Sequence, residues 1–126
     1  MNQKIESQKA PAAIGPYSQA IKAENTIYIS GQLPIDATTG EFAGNDIKSQ
    51  TKQSLENIKA VLAEVEADMS DVVKTTVLMK NIADFGDMNE VYANYFTGTC
   101  PARAAYQVAA LPKDALVEIE AIAVIK

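Results

Sequence analysis

Val117-Glu118-Ile119-Glu120-Ala121-Ile122-Ala123-Val124 decides how this chain is read. Side chains alternate across a strand, so Val117, Ile119, Ala121, Ala123 and Ile125 share one face. Glu118, Glu120, Ile122 and Val124 share the other. The first face is apolar and suits helices packed against it. The second mixes carboxylates with aliphatic groups and is too apolar to leave in water. That is the pattern of a face covered by other subunits.

Working outward, Leu111-Pro112-Lys113-Asp114 is a turn, and Arg103 to Ala110 reads as a strand. Arg103, Ala105 and Gln107 lie on one side of it, with Ala104, Tyr106 and Val108 opposite. Val72 to Met79, rich in β-branched residues, is another strand, entered by a tight turn at Met69-Ser70-Asp71. Between these strands, Asn81 to Asp84 leads into a helix with the stripe Phe85, Met88, Tyr92 and Tyr95 or Phe96. Gly98 stands where such a helix would end. A longer helix begins at an Asn45 or Asp46 cap and carries Ile47, Leu55, Ile58, Leu62 and Val65 at helical spacing. Ser18 to Ala23 and Thr26 to Gln32 form a hairpin around Glu24-Asn25, and Leu33 to Gly44 reads as a loop. The order is strand, strand, helix, strand, helix, strand, strand. It gives an α+β class, a single domain over residues 1–126, with both helices on one side of the sheet.

The 126 residues carry a net charge of −5, which disfavours attraction to nucleic-acid phosphates. There is no histidine, so imidazole catalysis is excluded, and metal sites built on His and Cys have only Cys100 to use. One cysteine allows no internal disulfide and suits a reducing compartment. The first residues lack a signal-peptide pattern, and no apolar run approaches the ~20 residues that span a bilayer. The expected location is cytoplasmic, with no membrane or nucleic-acid partner.

What remains is carboxylate, phenol, amide and guanidinium chemistry. Arg103 is the only arginine, and its planar fork can grip a carboxylate in a way lysine cannot. It is either an ion-pair residue or a substrate clamp. Glu118 and Glu120 sit in an apolar strand, where an unpaired carboxylate costs several kcal/mol to desolvate. They are either paired with Lys74, Lys80 or Arg103, or held at a raised pKa fit for proton transfer. Tyr17 follows Gly15-Pro16, which fixes its direction; it packs on the sheet edge or faces a ligand. Gly31 marks a strand-end bulge or a close approach of ligand or backbone. Asn89 is a structural amide or a ligand contact.

The stretches Ala10 to Gln19, Ile29-Ser30-Gly31-Gln32, Asn89-Glu90-Val91-Tyr92, Pro101-Ala102-Arg103 and Val117 to Ala123 closely resemble the RidA (YjgF) family, in register over essentially the whole chain. The resemblance implies a chorismate-mutase-like fold assembled as a homotrimer with clefts between subunits. It also implies enamine/imine deaminase activity, hydrolysing 2-aminoacrylate/2-iminopropanoate and 2-iminobutanoate to 2-keto acids and ammonia with no metal or organic cofactor. On this resemblance Arg103 binds the substrate carboxylate, and Glu118, not Glu120, positions water. Tyr17, Ser30, Gly31 and Asn89 line the same cleft. Ala105 replaces a cysteine of many bacterial members, a position that acts through its backbone carbonyl, and the loop Thr97 to Cys100 looks shorter than in some relatives. Two rivals use the same sequence: a non-catalytic trimer sensing 2-keto acids, and a ribonuclease or translation inhibitor, against which the acidic balance argues.

Overall fold

The long terminal strand lies in the middle of the sheet. The computed structural model describes residues 1–126. Strands β1 (Gln3–Ile5), β2 (Ala20–Ala23), β3 (Thr26–Gln32), β6 (Val72–Met79), β7 (Ala102–Gln107) and β8 (Val117–Val124) form one sheet in the order β1-β2-β3-β8-β6-β7. All neighbours are antiparallel except β6 and β7, which run parallel because a helix crosses over between them. The α+β class and the mixed sheet with helices on one face are as expected.

Helix α1 (Ile47–Ala63) starts where Asp46 accepts the Ser49 amide at 2.9 Å, so Asp46 rather than Asn45 is its cap. Leu55, Ile58, Val61 and Leu62 are fully buried against Ile27, Val77, Val117 and Ile119 of the sheet. Each buried aliphatic side chain of this kind contributes about 1.5–3 kcal/mol. Helix α2 (Phe85–Tyr92) adds Met88 and Tyr92 to the same core. It ends well before Gly98: after Ala93 bonds back to Asn89, the next amides reach only three residues back, Asn94 to Val91 and Tyr95 to Tyr92. The chain tightens out of the helix there and no glycine is needed.

Two features escape the sequence reading. Gln3 to Ile5 adds an edge strand, and Ile35–Asp36 (β4) pairs with Glu41–Phe42 (β5) inside the stretch read as loop. Buried amides of α1 pin that excursion: Asn57 donates to the carbonyls of Leu33 and Ile35, both at 3.0 Å, and Gln50 donates to that of Gly44 at 3.0 Å. Strand β7 is shorter than expected; Val108 still donates to Met79 at 2.9 Å, then the chain leaves the sheet toward Pro112. No helix is long and apolar enough to cross a membrane.

The opposite face of the sheet has no helix. Tyr28 and Tyr106 are half exposed there, at 52% and 50%, with Val124 at 39%. Ile122, Leu78, Thr76, Glu118 and Glu120 fill the space between them, by strand register.

Candidate functional site

Arg103 sits on the edge strand β7 and points to the helix side of the sheet. Its lateral neighbour in the parallel register is Thr75, which is buried there. The guanidinium donates through Nη1 to Asn89 Oδ1 at 2.7 Å. It also stacks over the rings of Tyr92 and Phe85, 4.8 Å and 5.3 Å from their centroids. Phe85, Asn89 and Tyr92 follow helical spacing, so one face of α2 supplies all three contacts. Every group that touches the guanidinium is neutral, and Arg103 is exposed with no carboxylate partner. An arginine oriented in this way keeps its charge and most of its donors for an external anion. Ala105, two residues on, packs its methyl group against the core beside Val77.

Glu118 lies on the other face. Its neighbours across the sheet are Leu78 and, beyond it, Tyr106. The carboxylate rests against Gly31, where an added Cβ would come within 2.9 Å of Oε2. Strand β3 has its bulge at this point: Ile29 pairs with Ala121 and Gln32 with Ile119, leaving Ser30 and Gly31 opposite Glu120 alone. Bulge and close approach are therefore both present, and the group approaching Gly31 is the chain's own glutamate. The readings that pair Glu118 or Glu120 with a base are overturned. Lys80 bridges Asp114 at 2.8 Å, and neither glutamate has an ion pair. Burial, and secondly the like charge of Glu120, pushes the Glu118 carboxyl above the usual range for a glutamate.

Tyr17 belongs to the Glu118 side. Ser30 Oγ donates to the Ser18 carbonyl at 2.6 Å and the Ser30 amide to the Gln19 carbonyl at 2.9 Å, which ties the segment after Pro16 to the bulge. The phenol is 53% exposed, so it does not pack down on the sheet. Gly15, at φ +121°, makes the sharp turn that sends the ring outward. Behind it the buried Gln19 side chain accepts from the Ser7 amide and donates to the carbonyls of Ser7, Ala10 and Pro11.

The seven residues singled out from sequence thus form two groups on opposite faces. Arg103, Asn89 and Ala105 stand at the β7 edge beside α2; Glu118, Gly31, Ser30 and Tyr17 stand around the β3 bulge. The resemblance implied one cleft between subunits for all of them; within a single chain Arg103 and Glu118 stand on opposite faces of the sheet. Sequence reasoning missed Phe85 and Tyr92, read as the apolar stripe of a helix, and Thr75, read only as part of a strand. The signal available was an asparagine between two aromatics at helical spacing, beside a strand carrying the lone arginine.

Known proteins share this arrangement of sequence and fold. The family model described as endoribonuclease L-PSP matches residues 7–125. A 2-iminobutanoate/2-iminopropanoate deaminase of Mus musculus is 53% identical over 120 residues, 95% of this chain and 89% of that protein. The structure of RidA from an Antarctic Psychrobacter matches with a TM-score of 0.94 at 49% identity, covering 98% of this chain and 99% of that one. That of E. coli TdcF with bound serine matches with a TM-score of 0.95 at 42% identity, over 98% and 99% of the two chains.

Proposed function

The chain belongs to the endoribonuclease L-PSP family, the RidA (YjgF) family whose motifs it carries, and on that premise we propose that it is an enamine/imine deaminase. Its substrates are 2-aminoacrylate/2-iminopropanoate and 2-iminobutanoate, and its products the 2-keto acids pyruvate and 2-ketobutyrate with ammonia. The working form is a cytoplasmic homotrimer of one-domain subunits in a chorismate-mutase-like arrangement. The open sheet faces turn toward one another, and each cleft takes Arg103, Asn89 and Ala105 from one subunit and Glu118, Gly31, Ser30 and Tyr17 from the next. The amphipathic uncovered face and the division of site residues between two faces support that assembly.

The observation that carries the reading is the state of Arg103: oriented by neutral groups, exposed and free of any carboxylate. In the proposed mechanism its fork and the Gly31 amide hold the substrate carboxylate. The enamine takes a proton at its terminal carbon and gives one up from nitrogen, becoming the imine. Water, held by Glu118 and the Ala105 carbonyl, attacks the imine carbon. As the C–O bond forms, the C=N π electrons pass to nitrogen, which takes up a proton from solvent, while Glu118 accepts one from the water. Glu118 or Tyr17 then returns a proton to nitrogen, the C–N bond breaks with its electron pair leaving on ammonia, and the hydroxyl gives a proton back to solvent as it becomes the keto oxygen. A glutamate whose pKa is raised is better suited than an ordinary one to accept and return that proton. Positioned acid–base help of this kind contributes roughly 10²–10⁴-fold.

The test is release of keto acid in a mixture with a pyridoxal-phosphate serine dehydratase. The protein is expected to accelerate pyruvate and ammonia formation, and Arg103→Ala to lose the acceleration. No acceleration, or equal acceleration by both proteins, retires the enzyme; pyruvate binding without acceleration would leave the sensing trimer.

A further inference from the structure

Tyr92 is buried, at 6% exposure, and its two ends do different things. Its hydroxyl is 2.7 Å from Thr75 Oγ1, a contact wholly inside the core. Its ring face lies 4.8 Å under the guanidinium carbon of Arg103. Thr75 is also the residue beside Arg103 in the β6–β7 register, so the contacts close a triangle: strand neighbour, hydroxyl, ring, guanidinium. Phe85, 5.3 Å from the same carbon, extends the aromatic surface, and its ring has no polar anchor. An arginine side chain is flexible, and losing that freedom on binding opposes affinity. A ring held in place removes part of the loss before the ligand arrives.

We infer that Tyr92, locked by Thr75, is a positioning residue that holds the Arg103 fork ready for a carboxylate. This deepens the functional reading and rests on it for the identity of the ligand. The contribution acts through Arg103 alone. Neither Tyr92 nor Thr75 is assigned a contact with substrate.

Arg103 is the only arginine, so its Nε–H resonance can be followed without ambiguity. In the ligand-free protein that bond is expected to be ordered on the ps–ns timescale. Tyr92→Leu is expected to lower its order parameter and weaken pyruvate, measured by calorimetry, about threefold to thirtyfold. Tyr92→Phe and Thr75→Val keep the ring and the volume and should each cost about two- to threefold, with partial loss of order. Should Tyr92→Leu fail to fold, these two variants carry the test. In an Arg103→Lys background, Tyr92→Leu should have no further effect on pyruvate. An unchanged order parameter in folded variants, or the same loss of affinity in the lysine background, overturns the inference. An ordered Arg103 in a wild-type protein that binds no pyruvate would instead sink the functional reading and leave the platform standing.

Discussion

The two faces of the sheet are built from the same alternating strands and are finished to different degrees. On the helix side, Val77, Val117 and Ile119 are fully buried, and even the polar Thr75 has its hydrogen bond. On the other side Tyr28 and Tyr106 stay half in water, and Glu118 is partly desolvated with no partner. Such a carboxylate is unfavourable for a folded monomer, so the helix face should govern stability and the open face assembly and chemistry. The proposed chemistry is divided across this line, since Arg103 is finished by the helix side and Glu118 is not finished by anything in its own chain.

The largest expected effect is on the open face. Glu118→Gln should lower the deaminase rate about 10²–10⁴-fold while leaving the protein at least as stable. The sign follows from the raised pKa: between the unfolded value and the higher folded one, the folded state binds more protons, so stability falls as pH rises through that window. The amide removes the penalty, and urea midpoints above the window should increase. Activity runs the other way, because the ionised carboxylate takes the proton from water, and kcat/KM should fall as pH drops through the raised pKa. A variant that loses stability and activity together would break the division.

Ile119→Ala is the converse case. It removes a fully buried side chain of the helix face and should cost about 2–5 kcal/mol in denaturant unfolding. Ile122→Ser, three residues along the same strand and on the open face, should weaken the proposed trimer in sedimentation more than it changes the unfolding of the subunit. Gly31→Ala is a finer probe. Its methyl group would press on the Glu118 carboxylate, so a loss of about tenfold in kcat/KM with little change in affinity for pyruvate is expected. Equal losses in both would mean that Gly31 matters chiefly for binding. The smallest effect belongs to Asp46→Ala, about 1 kcal/mol of stability from a lost helix cap, with activity unchanged.

How much could be read in advance follows the same division. Strands β3, β6 and β8 and helix α1 were legible because each carries a long apolar period that only one packing can satisfy. The strands of two and three residues, β4, β5 and β1, have too few residues for a period; β4 and β5 depend on Asn57 and Gln50 reaching from α1, and β1 on its pairing with β2. Within the site, Arg103 stood out as the lone arginine and Glu118 with Glu120 as carboxylates in an apolar strand, only the family resemblance choosing between the two, yet alternation along one strand does not say which face of the sheet another strand shows. That required the β6–β7 register, in which Arg103 lies beside Thr75 and Tyr106 beside Leu78. Tyr92 was hidden because an aromatic in a helical stripe reads as core, and here it is core and platform together.

Gln19 has a consequence for the lifetime of the molecule. One amide nitrogen serves three carbonyl oxygens, those of Ser7, Ala10 and Pro11, while the amide oxygen takes the Ser7 N–H. Hydrolysis of that single side chain to a glutamate would keep the acceptor and delete the donor, setting a negative charge against three lone-pair donors in a buried place. Chemical ageing at one position would thereby loosen the segment from Ser7 to Pro11, and with it the anchorage of the turn that presents Tyr17, while β1 stays paired with β2.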